Sequence, residues 1–509
     1  MESASEHCFF GVATSAYQSE GGYNGPGEPR TNWATAEESG DVSPTGSAAE
    51  FWLRYQEDFD RAASMGCDSF RMGIEWSRVQ PGPAKDLADP AFDEEALRHY
   101  AKMLAACRAR GMEPFVTLHH FVHPEWLGID IWIADATPQR FAKFAEHAMA
   151  AINRLLVTEH GTAPLRYYVT INEPNMLALN THIARQFPGG KKRGMAAMSD
   201  ALDGMLAGHV LVYGALKALH QREGWPVPVV GINTYTSDLY WSDKVLFDLL
   251  MVRERKITKS ELTLYFKRQV TEFQRAFREA RLPLHKDVPY RLGAVVKAVA
   301  HWLGSKRFDP LRFHRFFDAL EQAEADCVLD FAGIDYYDPF LAHLFRLPVF
   351  WDHEFKNRSV KAWVMNTITS KWWDWRVLPR GLHFFCELYS RDLGKPILIA
   401  ENGMALRRRP DNSKTPRRDR MTRSQFLRLF MHEVVRIRAD GIPLLGYLHW
   451  SLFDNYEWGS YTPRFGLFAI DYAVNRERKT ETDSGDRPSE AYRELIAEAR
   501  KKAGKPTDK

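Results

Sequence analysis

The chain is short of cysteine, of charge imbalance and of the motifs that announce a bound cofactor. Its five cysteines, Cys8, Cys67, Cys107, Cys327 and Cys386, are odd in number and widely spaced, and none forms a Cys-x-x-Cys pair. That excludes a disulfide framework and suits free buried thiols in a reducing compartment. A net charge of +3 is too small to argue for a nucleic-acid partner. The sequence contains no Gly-rich phosphate loop, zinc-ligand spacing, nucleophile elbow or internal repeat, and neither a metal nor any other cofactor is expected. No uninterrupted apolar run approaches the roughly 18 residues of a membrane span. Residues Met1 to His7 are acidic, with neither a basic nor an apolar signal region, so a cytoplasmic location is expected.

What the chain does have is an ordinary globular composition, 45% hydrophobic and 26% charged, with an aromatic share of 13% that includes 15 tryptophans. Aromatic faces serve sugar sites and large cores alike. Two stretches share one design. Ile397-Leu398-Ile399-Ala400 is an aliphatic run introduced by Pro396 and stopped by Glu401-Asn402-Gly403. Tyr167-Tyr168-Val169-Thr170-Ile171 is β-branched and aromatic and ends in Asn172-Glu173-Pro174. Each reads as a buried parallel strand that delivers a glutamate to its carboxyl end. A single such glutamate could merely cap the next helix. A matched pair is what glycoside hydrolysis needs, one carboxyl to protonate the leaving oxygen and one to attack the sugar carbon.

The rest of the chain alternates between strand and helix patterns. Strands are predicted at 8–13, 69–78, 114–118, 167–171, 227–233, 330–337, 397–400 and 444–450. Helical periodicity falls at 48–65, 94–110, 137–156, 195–219, 260–281 and 421–439, with a last helix from Pro488. Eight alternations predict a single α/β domain over 1–500, a (β/α)8 TIM barrel with long βα loops, followed by a disordered tail at 501–509. Arg71 lies inside a predicted strand, where a buried guanidinium demands a carboxylate partner, at the site or elsewhere in the barrel. His119 and His120 are adjacent on a strand end and so point to opposite faces, which rules out joint chelation of one metal. The aromatic region 340–375 reads as a long loop over the rim.

The Thr170-Ile171-Asn172-Glu173-Pro174 and Ile399-Ala400-Glu401-Asn402-Gly403 segments resemble the acid/base and nucleophile motifs of family 1 glycoside hydrolases, the retaining β-glucosidase and β-galactosidase family. The likeness runs from Phe9 to about Ala497. A third match spans Trp450, Glu457, Trp458 and Phe465, although Glu457 and Phe465 stand one residue closer than in the family pattern. The resemblance implies Glu173 as acid/base and Glu401 as nucleophile, with Arg71 holding the nucleophile and Tyr337 touching it. It also implies substrate contacts from Gln18, His120, Phe121, Asn172, Trp375, Trp450, Glu457, Trp458 and Phe465. Phe121 stands where a tryptophan is usual, and Asp335 where asparagine is common. An extra carboxylate there would raise the pKa of a neighbouring acid if both point inward. Without the resemblance, Gln18 also reads as an exposed loop amide and Trp375 as a packed core residue.

The expected partner is a small β-glycoside, with the tryptophans between Trp351 and Trp375 favouring a hydrophobic aglycone. A transglycosylase would use the same carboxylate pair. The stretch 260–281 carries Lys267, Arg268, Arg275, Arg278 and Arg281 among helically spaced phenylalanines. It reads either as an outer barrel helix with a solvated basic face or as a surface that approaches anionic lipid, as in a membrane-associated glycolipid β-glucosidase.

Overall fold

The structure is a computed structural model that describes residues 7–82, 89–184, 186–284, 287–349, 351, 360–369, 371–408, 414–482 and 485–503. Eight parallel strands close into a barrel: β1 (Phe9–Ala13), β2 (Ser69–Gly73), β3 (Glu113–Thr117), β4 (Tyr167–Asn172), β5 (Val229–Tyr235), β6 (Phe331–Asp335), β7 (Ile397–Asn402) and β8 (Leu444–Trp450). Each strand pairs with its neighbours in sequence, and β1 closes the ring against β8. The register sets Asn172 beside Asn233, Tyr235 beside Asp335, and Asp335 beside Glu401. Four consecutive strands thereby present their last polar residues at one rim.

An outer layer of helices surrounds the barrel: α1 (Phe51–Ser64), α2 (Glu94–Arg108), α3 (Thr137–Thr158), α4 (Met195–Glu223), α5 (Leu262–Glu279), α6 (Val288–Arg307), α7 (Pro379–Leu393), α8 (Arg423–Ala439) and α9 (Pro488–Ala503). Two apolar clusters result. One fills the barrel interior with Phe115, Tyr167, Val169, Phe331, Leu398 and Leu448. The other, larger, lies between strands and helices, with stripes such as Phe141, Phe144, Ala148 and Ile152 of α3. These are the two layers that the strand alternation and the helical period separately demand. Among the described residues α4 is the one helix long and apolar enough to cross a membrane, and 72% of its most apolar window is buried in this shell. Its apolarity serves packing against α3.

Three expectations need correction. The second strand stops at Gly73, because the Glu75 carboxylate accepts from the Ser77 N–H and starts a short helix over Trp76–Val79. The rim segment 340–375 is not wholly irregular: Leu341–Phe345 and Trp372–Asp374 form 3-10 turns and Val360–Thr369 is helical. Residues 350, 352–359 and 370 lie outside the described residues. The last helix continues to Ala503, so the expected tail at 501 starts too early, and 504–509 also lie outside them. The basic stretch forms α5, whose Phe266, Val270 and Phe273 are buried, as an outer barrel helix requires.

Candidate active site

Glu401 is held from both sides. Arg71 Nη1 donates to its Oε1 at 2.9 Å, and the Tyr337 hydroxyl donates to its Oε2 at 2.9 Å. Arg71 reaches it from β2 with no solvent exposure, and its remaining nitrogens donate to Thr117 Oγ1 at 2.8 Å and Asn172 Oδ1 at 2.5 Å. A buried guanidinium is stable only with this many acceptors.

Glu173 follows β4 with φ +40°, in the left-handed region, and its side chain makes no capping bond to the helix Pro174–Leu179 behind it. The carboxyl is turned into the barrel mouth instead. There Glu173, Asp335 and Glu401 each bring one oxygen to within 4.8 Å of the others. Asp335 is fully buried and accepts from Asn233 Nδ2, which also donates to Asn172 Oδ1 at 2.6 Å. Among the described residues this trio is the one group of three ligand-bearing side chains close enough to share a metal ion, with the Arg71 cation already beside it.

Three crowded carboxyls and one guanidinium cannot all carry full charge. Burial raises the pKa of Glu401, and Arg71 and Tyr337 pull it only part of the way back down. Burial raises Glu173 well above the usual carboxylate range, and the charges of Asp335 and Glu401 add to that rise, with Arg71 opposing it. Glu173 is therefore the group that keeps a proton, and Glu401 the one that gives it up first. The Glu173 carboxyl also hydrogen-bonds Asp335, which is itself raised by burial and by the charge of Glu401.

Beside this trio lies a polar clamp. Glu457 Oε1 accepts from Trp450 Nε1 at 3.0 Å and its Oε2 from Gln18 Nε2 at 3.1 Å. Gln18 is buried, so the exposed-amide reading fails. His120 stacks between Trp450 and Trp458, with ring centroids 5.8 Å from each. Burial holds its imidazole pKa well below the ordinary value, and Arg71 adds to that, so the ring is neutral. His119 points the other way, against Trp132 and Phe141. Phe121 packs on Trp458 with centroids 4.6 Å apart.

The cavity above these groups has a volume of about 450 Å³. Its inner wall includes Tyr337, Trp375 and Phe465, and Trp375 packs 5.0 Å from Tyr337 while facing the cavity. Its outer wall is mostly apolar, with Met176, Leu179, Met195, Met198, Leu341 and Trp372 interspersed with Asn180, Gln186, Ser237 and Ser242. No lysine or arginine lines it among the described residues.

The sequence profile of Glycosyl hydrolase family 1 matches residues 2–499. The chain belongs to glycosyl hydrolase family 1. It is a glycoside hydrolase, and curated relatives carry related activities. A β-glucosidase 40 of Arabidopsis thaliana is 26% identical over 496 residues, covering 92% of this chain and 88% of that protein. A 6-phospho-β-galactosidase of Clostridium acetobutylicum is 24% identical over 506 residues, covering 94% and 95%. Among solved structures, the β-glucosidase of Thermotoga maritima in complex with noeuromycin superimposes with a TM-score of 0.66 at 19% identity, covering 98% of this chain and 99% of that one. That likeness is one of fold.

All thirteen residues expected at the site of this family 1 hydrolase lie around the cavity or directly behind it. Two more belong with them. Asn233 fixes Asp335 and Asn172, and Tyr235 stacks 6.0 Å from Tyr337. Both end β5, after the aliphatic run Val229-Val230-Gly231-Ile232, and that is the same design that marked Glu173 and Glu401.

Proposed function

We propose that this family 1 hydrolase is a retaining β-glycosidase acting on terminal, unphosphorylated glucosyl, galactosyl or fucosyl residues joined to an apolar aglycone. The observation that carries the reading is the approach of Glu173 and Glu401, whose nearest oxygens lie within 4.8 Å across one cavity. A retaining pair stands about 5 to 5.5 Å apart, whereas an inverting pair needs roughly 6.5 to 9.5 Å to admit a water.

In the first step a Glu401 oxygen attacks the anomeric carbon, and the bond to the leaving oxygen breaks with its electron pair on that oxygen. The leaving oxygen takes the proton of Glu173. A glycosyl ester on Glu401 remains. Esterification removes the Glu401 charge that helped keep Glu173 protonated, so Glu173 becomes a stronger acid and is ready as a carboxylate. It then takes a proton from water, whose oxygen attacks the same carbon and displaces Glu401. Two inversions give retention. Arg71 and Tyr337 aim the nucleophile and stabilise the charge it regains as leaving group.

The clamp of Gln18, His120, Trp450 and Glu457 supplies the donors and acceptors that a pyranose presents at its hydroxyls, and no lysine or arginine among the described lining residues offers a phosphate a partner. The apolar outer wall suits an alkyl, aryl or lipid aglycone better than a further sugar.

The test is turnover of a panel of aryl β-glycosides by the wild type, Glu401→Gln and Glu173→Gln, with product stereochemistry read by NMR. Glu401→Gln is expected to lose about 10⁴-fold or more. Glu173→Gln is expected to lose about 10²- to 10⁴-fold on poor leaving groups and much less on a dinitrophenolate, which departs without a proton. Unaltered turnover in either variant, or an inverted anomer, ends the assignment.

A further inference from the structure

α6 is amphipathic the wrong way round. Its inward stripe is Gly293, Lys297, His301 and Gly304. Gly293 lies so close to Ala342 that a Cβ would stand 3.1 Å from its backbone, and a Cβ on Gly304 would run into the Trp241 indole. Lys297 Nζ donates to Asp238 at 2.8 Å, and His301 accepts from the Tyr240 N–H at 3.1 Å. The large apolar side chains face out. Leu292, Val295, Val296, Val299 and Trp302 recur at helical spacing with 43 to 66% of their surface exposed. Burying small and polar residues while exposing this stripe forfeits apolar burial that an ordinary barrel helix would gain. A contiguous exposed stripe of this kind marks a surface that meets something apolar.

The charge pattern says what. α6 contains no aspartate or glutamate, and four cations, Arg291, Lys297, Lys306 and Arg307. Arg291, Lys306 and Arg307 are exposed and make no ion pair with any described residue; Lys306 lies over the Trp302 ring at 4.1 Å. An apolar stripe flanked by uncompensated cations, with a tryptophan at its edge, is the composition of a helix lying in a lipid headgroup layer. It is a poor composition for self-association, since two copies would bring their cations together with no acid between them. α6 also borders the cavity wall through its inner face and the turn packed on it. Trp241, which receives Gly304, lines the cavity, and so do Leu341 and Leu344 of the turn packed on α6. Leu344 and Leu347 of that segment are exposed as well.

We propose that the outer face of α6, with the 344–347 turn, docks on an anionic lipid bilayer and brings the apolar mouth of the cavity to the headgroup layer. The α5 face singled out from the sequence is not the docking element, because its Phe266 and Phe273 are spent on the core while the leucine, valines and tryptophan of α6's stripe are free. A membrane-borne glycoside could then present its sugar to the cavity without its chains leaving the lipid. Docking itself does not depend on the glycosidase reading, and it is read without turnover.

The experiment is co-sedimentation of the full chain with vesicles of phosphatidylglycerol and phosphatidylcholine at low salt, alongside turnover of a soluble aryl β-glycoside. The wild type is expected to pellet, and Val295→Glu/Val299→Glu to bind at least tenfold less with soluble turnover unchanged. Arg291→Glu/Lys306→Glu/Arg307→Glu is expected to lose binding to anionic vesicles in the same way. A wild type that stays in the supernatant overturns the proposal, as does either variant pelleting like the wild type. A wild-type dimer in sedimentation velocity that Val295→Glu/Val299→Glu dissociates would assign the face to a second copy of the chain, and overturns it too.

Discussion

Asp335 stands against Glu173 at the base of the cavity, its carboxyl hydrogen-bonded to that of Glu173 and register-paired with Glu401 on the next strand. A protonated Glu173 donates to an Asp335 carboxylate that Asn233 also serves. This arrangement makes Asp335 part of what keeps the acid protonated. Its like charge raises Glu173, so removing it lowers the pH at which Glu173 deprotonates. Asp335→Asn should therefore move the alkaline limb of the kcat/KM profile to lower pH, by about one unit or more, with the acidic limb shifted less. An unmoved alkaline limb would mean that burial alone sets the acid.

Tyr337 acts on the other carboxylate with the opposite sign. Its hydroxyl donates to Glu401 and, with Arg71, offsets the rise that burial imposes. Tyr337→Phe leaves burial unopposed on that oxygen, so the Glu401 pKa rises. The acidic limb of kcat/KM should move to higher pH, and kcat/KM at the optimum should fall about 10- to 100-fold, the scale of one hydrogen bond to a charged group. A fall in rate without movement of that limb would assign Tyr337 to substrate rather than to Glu401.

The barrel was legible because its strands are short, almost wholly buried and bounded by turn-formers, and the period switches cleanly between strand and helix. Leu444–Trp450 and the start of Thr137–Thr158 are found where the sequence puts them. The carboxylate pair was legible for a related reason: a charged residue at the end of an aliphatic run has few structural excuses. The run from Ser69 misled beyond Gly73, since Glu75 turns the chain through a side-chain bond that periodicity does not encode. Asn233 and the outward stripe of α6 escaped for another reason. An amide at a strand end is chemically bland until its partners are known, and a helix shows an apolar stripe whichever way it faces.

Glu457 gives the sharpest statement about the sugar. Its carboxyl is buried in the cavity wall between Trp450 and Gln18, where burial raises its pKa well above the usual range, and no lysine or arginine among the described residues lines the cavity to receive a phosphate. Although a 6-phospho-β-galactosidase is among its relatives, this enzyme should turn over an aryl β-galactoside with kcat/KM at least tenfold above that of its 6-phosphate. Glu457→Ser should narrow the ratio by removing the hydrogen-bonding carboxyl that serves the unphosphorylated sugar, with turnover of that sugar falling. Preference for the phosphorylated substrate in the wild type would overturn this account of the clamp.

The outer wall makes a prediction about the other half of the substrate. With Met176, Leu179, Met195, Met198, Leu341 and Trp372 all lining the cavity, each methylene added to an alkyl aglycone leaves water for a mostly apolar wall, worth about 0.8 kcal/mol. Along methyl, butyl, hexyl and octyl β-glucosides, kcat/KM should rise by up to about fourfold per methylene until the cavity is filled. Met195 lines that wall yet is 67% exposed, so Met195→Glu should fold normally. It should flatten the series for the longer chains and leave the methyl glucoside unchanged. A series that is flat in the wild type would mean that the leaving group passes directly to water, and the apolar wall would then belong to packing alone.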